Sequence, residues 1–101
     1  MKFLALEVES PTATNEQFQP LLADEAQAVW QLYQVGVIRE MYFRADRHSA
    51  VLVLECATLE EAQECLQELP LARASLIAFD IIPLVAYPGF ARLFGEKGRR
   101  E

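Results

Sequence analysis

One glutamate stands where a solvated helix would carry an apolar side chain. Phe18, Leu22, Glu25, Val29, Leu32 and Gly36 recur at alternating spacings of four and three, the period of a single helix face. Glu25 therefore shares its face with residues that turn toward a core. A carboxylate withdrawn from water without a partner is disfavoured in its charged form, so its pKa rises toward neutrality. That is the property of a general base that takes and returns a proton near neutral pH. At the margin of the stripe, or paired with Arg39 or Arg44, Glu25 would instead be a structural acid.

The same two arginines are the candidates for holding a carboxylate ligand, since a guanidinium binds one through two parallel N–H···O contacts. Tyr42 shares a strand face with Glu40 and Arg44, Glu55 with Val51 and Val53, Asp80 with Ala78 and Ile82, and Glu7 with Phe3 and Ala5. Cross-strand or rim pairing is the expectation for Glu7, Glu55 and Asp80. His48, the one histidine, falls in the turn RADRHS among charges and reads as solvated. Trp30 and Tyr33 neighbour the helix stripe and read as packing residues. Cys56 and Cys65 lack CxxC spacing and histidine companions, so they read as reduced thiols of a cytoplasmic protein, with no metal site.

The elements that must position these residues follow from the pattern. Lys2 to Glu9 alternates as a strand, with Phe3, Ala5, Glu7 and Glu9 on one side. Thr14 and Gln17 make a capping box. A lead-in turn then passes to a main helix from about Pro20 to Val35, closed by Gly36. Val37–Ala45 and Ala50–Ala57 form a hairpin around RADRHS. Thr58 and Glu61 cap a second helix with Ala62, Cys65, Leu66 and Leu69 as its stripe, stopped by Pro70. Leu76 to about Val85 is a fourth strand, and Pro83 near its end suits an edge. The order β-α-β-β-α-β is the ferredoxin-like pattern of an α+β fold. One domain over residues 1–94 and a charged tail over 95–101 account for the chain.

Composition narrows the partners. The 101 residues are 52 % hydrophobic with a net charge of −6. No basic face exists for a nucleic acid; the cluster Lys97–Arg100 reads as a solvated tail. No run is long enough to span a membrane, and MKFLALEVES lacks the apolar core and cleavage site of a signal peptide. AVLVLEC and SLIAFDIIPLV are apolar at both parities. A sheet with both helices on one face leaves the other face uncovered, so a second copy packed face to face is expected, with Val53 or Ile81 turned toward it.

The motif order resembles the dimeric α+β barrel superfamily and, within it, the muconolactone isomerase family. The match rests on Gly36 with Arg39 after it, on a third strand that runs into an acid in LVLECAT, on the helix-ending LPL at Leu69–Leu71, and on Pro83-Leu84 with Pro88 downstream, covering Met1 to about Pro88. The resemblance implies a homo-oligomer built of dimers and a cofactor-free isomerase acting on a small unsaturated lactone acid. It places a glutamate at the position of Glu25 and an arginine at Arg39, while Arg44 sits one position out of register. On this reading Glu25 shifts a proton beside a conjugated carbonyl, Tyr42 or Arg39 steadies the enolate, and Arg39 and Arg44 hold the substrate. A cofactor-free monooxygenase using the same pocket, and a non-enzymatic dimeric ligand-binding or assembly module, are the alternatives. A haem-degrading role would want a histidine on a helix, and neither helix carries one.

Overall fold

A computed structural model describes residues 1–95; positions 96–101, which include the tail Lys97–Arg100, lie outside the described residues. The elements run β1 (Lys2–Glu9), α1 (Asn15–Phe18), a 3-10 turn (Gln19–Leu21), α2 (Leu22–Gln34), β2 (Ile38–Phe43), β3 (Ala50–Glu55), α3 (Leu59–Gln67), α4 (Pro70–Arg73), β4 (Ile77–Leu84) and a last 3-10 turn (Gly89–Phe94). The sheet is antiparallel in the order β2-β3-β1-β4. This is the α+β, ferredoxin-like fold expected from the pattern. β4 lies at an edge, where Pro83, opposite Phe3, deprives no outer neighbour of a donor.

Local chemistry sets the element ends. The Gln17 carboxamide accepts from the Thr14 N–H at 2.8 Å. Thr58 Oγ1 accepts from the Glu61 N–H at 3.1 Å, and Glu61 Oε2 reaches back to the Ala57 N–H at 3.2 Å. Gly36 ends α2 at φ 84°, a conformation that costs a side-chain-bearing residue free energy. Gly36 N–H then bonds Tyr33 O at 3.2 Å and Val37 N–H bonds Leu32 O at 2.9 Å, which completes a Schellman cap. Pro70 does more than stop α3. It occupies the first turn of the short helix α4, where its missing N–H is harmless, and this places the Leu71 N–H where no earlier carbonyl of α4 can take it.

The helix-side face of the sheet carries the core. Phe3, Ala5, Ile38, Leu52, Leu54, Cys56, Ala62, Leu66 and Leu69 are buried together, and Leu71, Leu76 and Ile77 form a second cluster against Phe18 and Leu21. The stripe of the first long helix differs from expectation. No residue of α2 is buried and Leu22 is exposed, because the helix stands off the sheet with only Ala28, Val29 and Leu32 packed on the core.

The opposite face bears no helix. Register pairs Leu4 with Val53 and Ile82, and Leu6 with Val51 and Asp80, so these residues share that face. Val53 points outward as one of the two expected candidates, whereas Ile81 pairs with Ala5 and packs against the core; Ile82 is its outward neighbour. After β4, Tyr87, Phe90, Leu93 and Phe94 remain exposed. Among the described residues, no helix is long and apolar enough to cross a membrane.

Leu54 is 0 % exposed at the centre of the core. Leu54→Ala should lower the unfolding free energy by about 2–5 kcal/mol, read by denaturant titration with an unchanged slope. A loss under about 1 kcal/mol would place the core elsewhere.

Candidate active site

Because α1 and α2 stand off the sheet, a cavity of about 720 Å³ opens between them and the strands. Apolar side chains such as Phe18, Val29, Met41, Leu52 and Phe79 line most of it, with Glu7, Glu9, Glu25 and His48 as its charged or basic members. A small number of polar groups in an apolar hollow is the usual form of a small-molecule site. A second cavity of about 480 Å³ between α3 and β4 has Glu9 as its one titratable lining residue and offers less chemistry.

Glu25 reaches into the larger cavity from α2 and is half-buried. Its Oε1 accepts from the Leu71 N–H at 2.9 Å, the donor freed by the start of α4. Burial pushes the Glu25 pKa up from its ordinary value; the Leu71 N–H holds it down in part, and the charge of Glu7 raises it further. Glu7 projects from β1 on the side of Phe3 and Ala5, and its Oε1 accepts from the Ala50 N–H at 3.0 Å. The cross-strand contact expected of Glu7 is therefore present, but the carboxylate also belongs to the cavity wall. The stripe periodicity located Glu25; nothing in it located Glu7.

The other site candidates lie apart. Arg39 occupies the irregular step of β2 between Ile38 and Glu40 and donates from Nε to the Gly36 carbonyl at 2.6 Å. Arg44 grips Asp46 through two bonds of 2.8 and 2.6 Å in the hairpin turn. Neither arginine lines the cavity. The Tyr42 segment borders it, but Tyr42 pairs with Val51 on the helix-free face, and its hydroxyl donates to Glu40 Oε1 at 2.7 Å. That bond keeps the proton on the phenol and raises its pKa. Glu55 takes the N-terminal ammonium, and Asp80 is exposed on the helix-free face.

His48, expected to be solvated, is exposed but folds back from the turn to the cavity rim, its ring 4.2 Å from that of Phe43 at a 35° tilt. The composition of RADRHS carries no sign of this; the alternation that puts Phe43 on the helix side is the one signal that could have found it. Trp30 and Tyr33 stack on each other at 5.8 Å, outside the cavity. Among the described residues, no group of three or more His, Cys, Asp or Glu could hold a metal ion.

A family model described as muconolactone delta-isomerase matches residues 1–89. Among solved structures, a muconolactone isomerase superposes with a TM-score of 0.68 at 21% identity, covering 87% of this chain and 92% of that one. The 5-chloro-2-hydroxyhydroquinone dehydrochlorinase of Burkholderia phenoliruptrix AC1100, in complex with 2,5-dihydroxybenzoquinone, superposes at 0.67 with 15% identity, covering 86% and 96%. At these identities the two likenesses establish the fold. A search of curated proteins finds no match.

The raised Glu25 pKa carries a sign for stability. The folded protein holds this proton more tightly than the unfolded chain, so the stabilisation is fully present below the ordinary value of 4.5 and is lost as pH rises through the folded value. Glu25→Gln should therefore gain stability relative to the parent across that rise. The gain should be largest above the folded pKa and absent in acid, as measured by thermal unfolding at stepped pH. A variant that loses stability on the alkaline side would mean that the Leu71 hydrogen bond outweighs burial.

Proposed function

We propose, starting from the fact that this chain belongs to the muconolactone delta-isomerase family, that it is a cofactor-free enzyme moving a proton within a small unsaturated ring compound such as a lactone. One observation carries the reading: a half-buried carboxylate with a raised pKa projects into an apolar cavity large enough for such a ring. Glu25 takes the proton from the carbon beside the conjugated carbonyl and delivers it to another carbon of the same ligand. A carboxylate whose pKa is raised holds the abstracted proton more firmly than a free one and can still return it to the ligand. The Leu71 N–H fixes one carboxylate oxygen, Oε1, and leaves the other without a hydrogen-bond partner among the described residues. Arg39 and Arg44 line no part of this chain's own cavity, and Tyr42 borders it with its hydroxyl held by Glu40.

The dehydrochlorinase neighbour is named for loss of hydrogen chloride from a ring. That reaction also requires protons to be moved on a ring compound, so a proton-carrying carboxyl group in this hollow suits either outcome.

The proposal includes a second copy. The helix-free face presents Leu4, Leu6, Val51, Val53 and Ile82, with Lys2, Glu40, Glu55 and Asp80 around them, and Tyr87, Phe90, Leu93 and Phe94 stand exposed beyond it. Apolar side chains left without a covering element on one sheet face favour burial against a partner. A homodimer, or a multiple of one, covers that face. Both cysteines are free thiols, in keeping with a cytoplasmic setting.

Glu25→Gln keeps the shape and removes the basic oxygen. It should fold as the parent does and slow isomerisation of an accepted lactone by roughly 10²–10⁴-fold, the usual contribution of a general base. Parental rates in the variant would end the proposal. Val53→Asp places a charge in the centre of the apolar face; sedimentation should show the parent as a dimer or its multiple and the variant as a smaller or unfolded species. A well-folded parental monomer at micromolar concentration would exclude the second copy.

A further inference from the structure

The chain holds two cysteines, Cys56 and Cys65, and the fold brings them together outside the cavity of Glu25. Both are free thiols. Cys56 follows β3 on the helix side of the sheet, 6 % exposed, and packs in the core with Ala62 and Leu66 of α3. Cys65 lies between those two on the same helix and is half-buried. Its thiol has the Cys56 thiol as a hydrogen-bond partner. The backbone beneath each sulfur is fixed. The Cys56 N–H donates to the Met1 carbonyl at 3.0 Å, and Cys65 stands inside α3. The turn between them is held by the bonds from Glu61 N–H to Thr58 Oγ1 and from Ala57 N–H to Glu61 Oε2. The spacing in sequence gives no sign of the pair; the strand-to-helix turn makes it.

We propose that Cys56 and Cys65 are a modification site, a dithiol that a hydroperoxide closes to an intramolecular disulfide and a thiol reductant reopens. Two sulfurs in contact on fixed backbones are what such a bond needs, since it forms only between side chains already aimed at each other. Cys65, the more accessible, reacts first. Its thiolate sulfur attacks one oxygen of hydrogen peroxide, the O–O bond breaks, and the departing hydroxide takes up the thiol proton as water. The sulfur has lost two electrons to the peroxide and is a sulfenic acid. The Cys56 sulfur then attacks it. The S–S bond forms, the S–O bond breaks, and the second hydroxide leaves with the Cys56 proton as water. Two thiols and one peroxide thus give one disulfide and two waters. Burial pushes both thiol pKa values up, and the charge of Glu61 raises them further. Thiolate is therefore scarce at neutral pH, and the pair responds to sustained oxidant rather than to a brief exposure. Once closed, the bridge ties the end of β3 to α3 and restricts the unfolded chain. Neither sulfur lines the larger cavity, so the inference is independent of the isomerase reading.

The full-length protein is treated with excess hydrogen peroxide under native conditions, and then with dithiothreitol. Free thiols, counted after denaturation, should fall from two to none. Mass spectrometry should show the loss of two hydrogens, confined to the tryptic peptide His48–Arg73 that carries both cysteines, and dithiothreitol should restore them. The oxidised protein should unfold at a higher temperature than the reduced one. Phenylarsine oxide, which bridges two neighbouring thiols, probes the reduced pair without any oxidation. It should bind the parent one to one, and Cys65→Ser at least about a hundredfold more weakly, because the second sulfur–arsenic bond is intramolecular in the parent. Circular dichroism confirms that the variant is folded. A disulfide between two chains on a non-reducing gel would overturn the inference. So would two oxygens gained at Cys65 while Cys56 stays a thiol, a bridge that lowers the unfolding temperature, or equal binding of the arsenical to parent and variant.

Discussion

A hydrogen bond between residues 46 positions apart, from the Leu71 N–H to Glu25 Oε1, links everything that matters in this site. It exists because Pro70 begins a one-turn helix whose second residue has a donor that no preceding carbonyl of that helix can accept. It holds a carboxylate at the wall of an apolar hollow, where burial would otherwise leave it without a fixed direction. The bond opposes the effect of burial on the pKa, yet burial remains the larger of the two. The result is a carboxyl group that is oriented and still easy to protonate, a combination that proton transfer at carbon requires.

The hollow itself follows from an incompletely packed helix. α2 contributes no buried residue, and its contact with the core is confined to its C-terminal half through Ala28, Val29 and Leu32. The N-terminal half is carried on Phe18 and Leu21, which rest on Leu71 and Ile77 in a separate cluster. Between these two supports the sheet is uncovered, and Glu7, Met41, Ala50, Leu52 and Phe79 face the hollow. Packing has been given up at the place where a ligand would complete it.

The fold was legible because each element carried its own signals. Strand alternation, two capping residues, a glycine with positive φ and the Gly36–Arg39 and Leu69–Leu71 motifs all agree with one topology. The edge position of β4 could be read from Pro83 alone. Glu25 was legible because a helix face repeats at a fixed period. Other parts depended on distance relations that the sequence does not carry. The helical start at Pro70 looks, residue by residue, like a stop. Ile81 and Ile82 are equivalent until register decides which one faces the helices. Arg39 and Arg44 are plausible anion binders until their local partners, the Gly36 carbonyl and Asp46, are seen to hold them. Glu7 and His48 join the site through the stand-off of α2 and the fold-back of the hairpin, and neither event has a local signature.

The central claim is that Glu25 is a carboxyl group kept readily protonated by its burial in this cavity. Carbon NMR of the protein labelled at glutamate carboxyls, with Glu25 assigned from the spectrum of Glu25→Gln, measures this directly. The account predicts a Glu25 midpoint above the ordinary 4.5, falling when Glu7 is changed to Gln because a neighbouring negative charge has been removed. A Glu25 midpoint at or below 4.5 would contradict the account, for the carboxylate would then be a hydrogen-bonded structural anion rather than a carrier of protons.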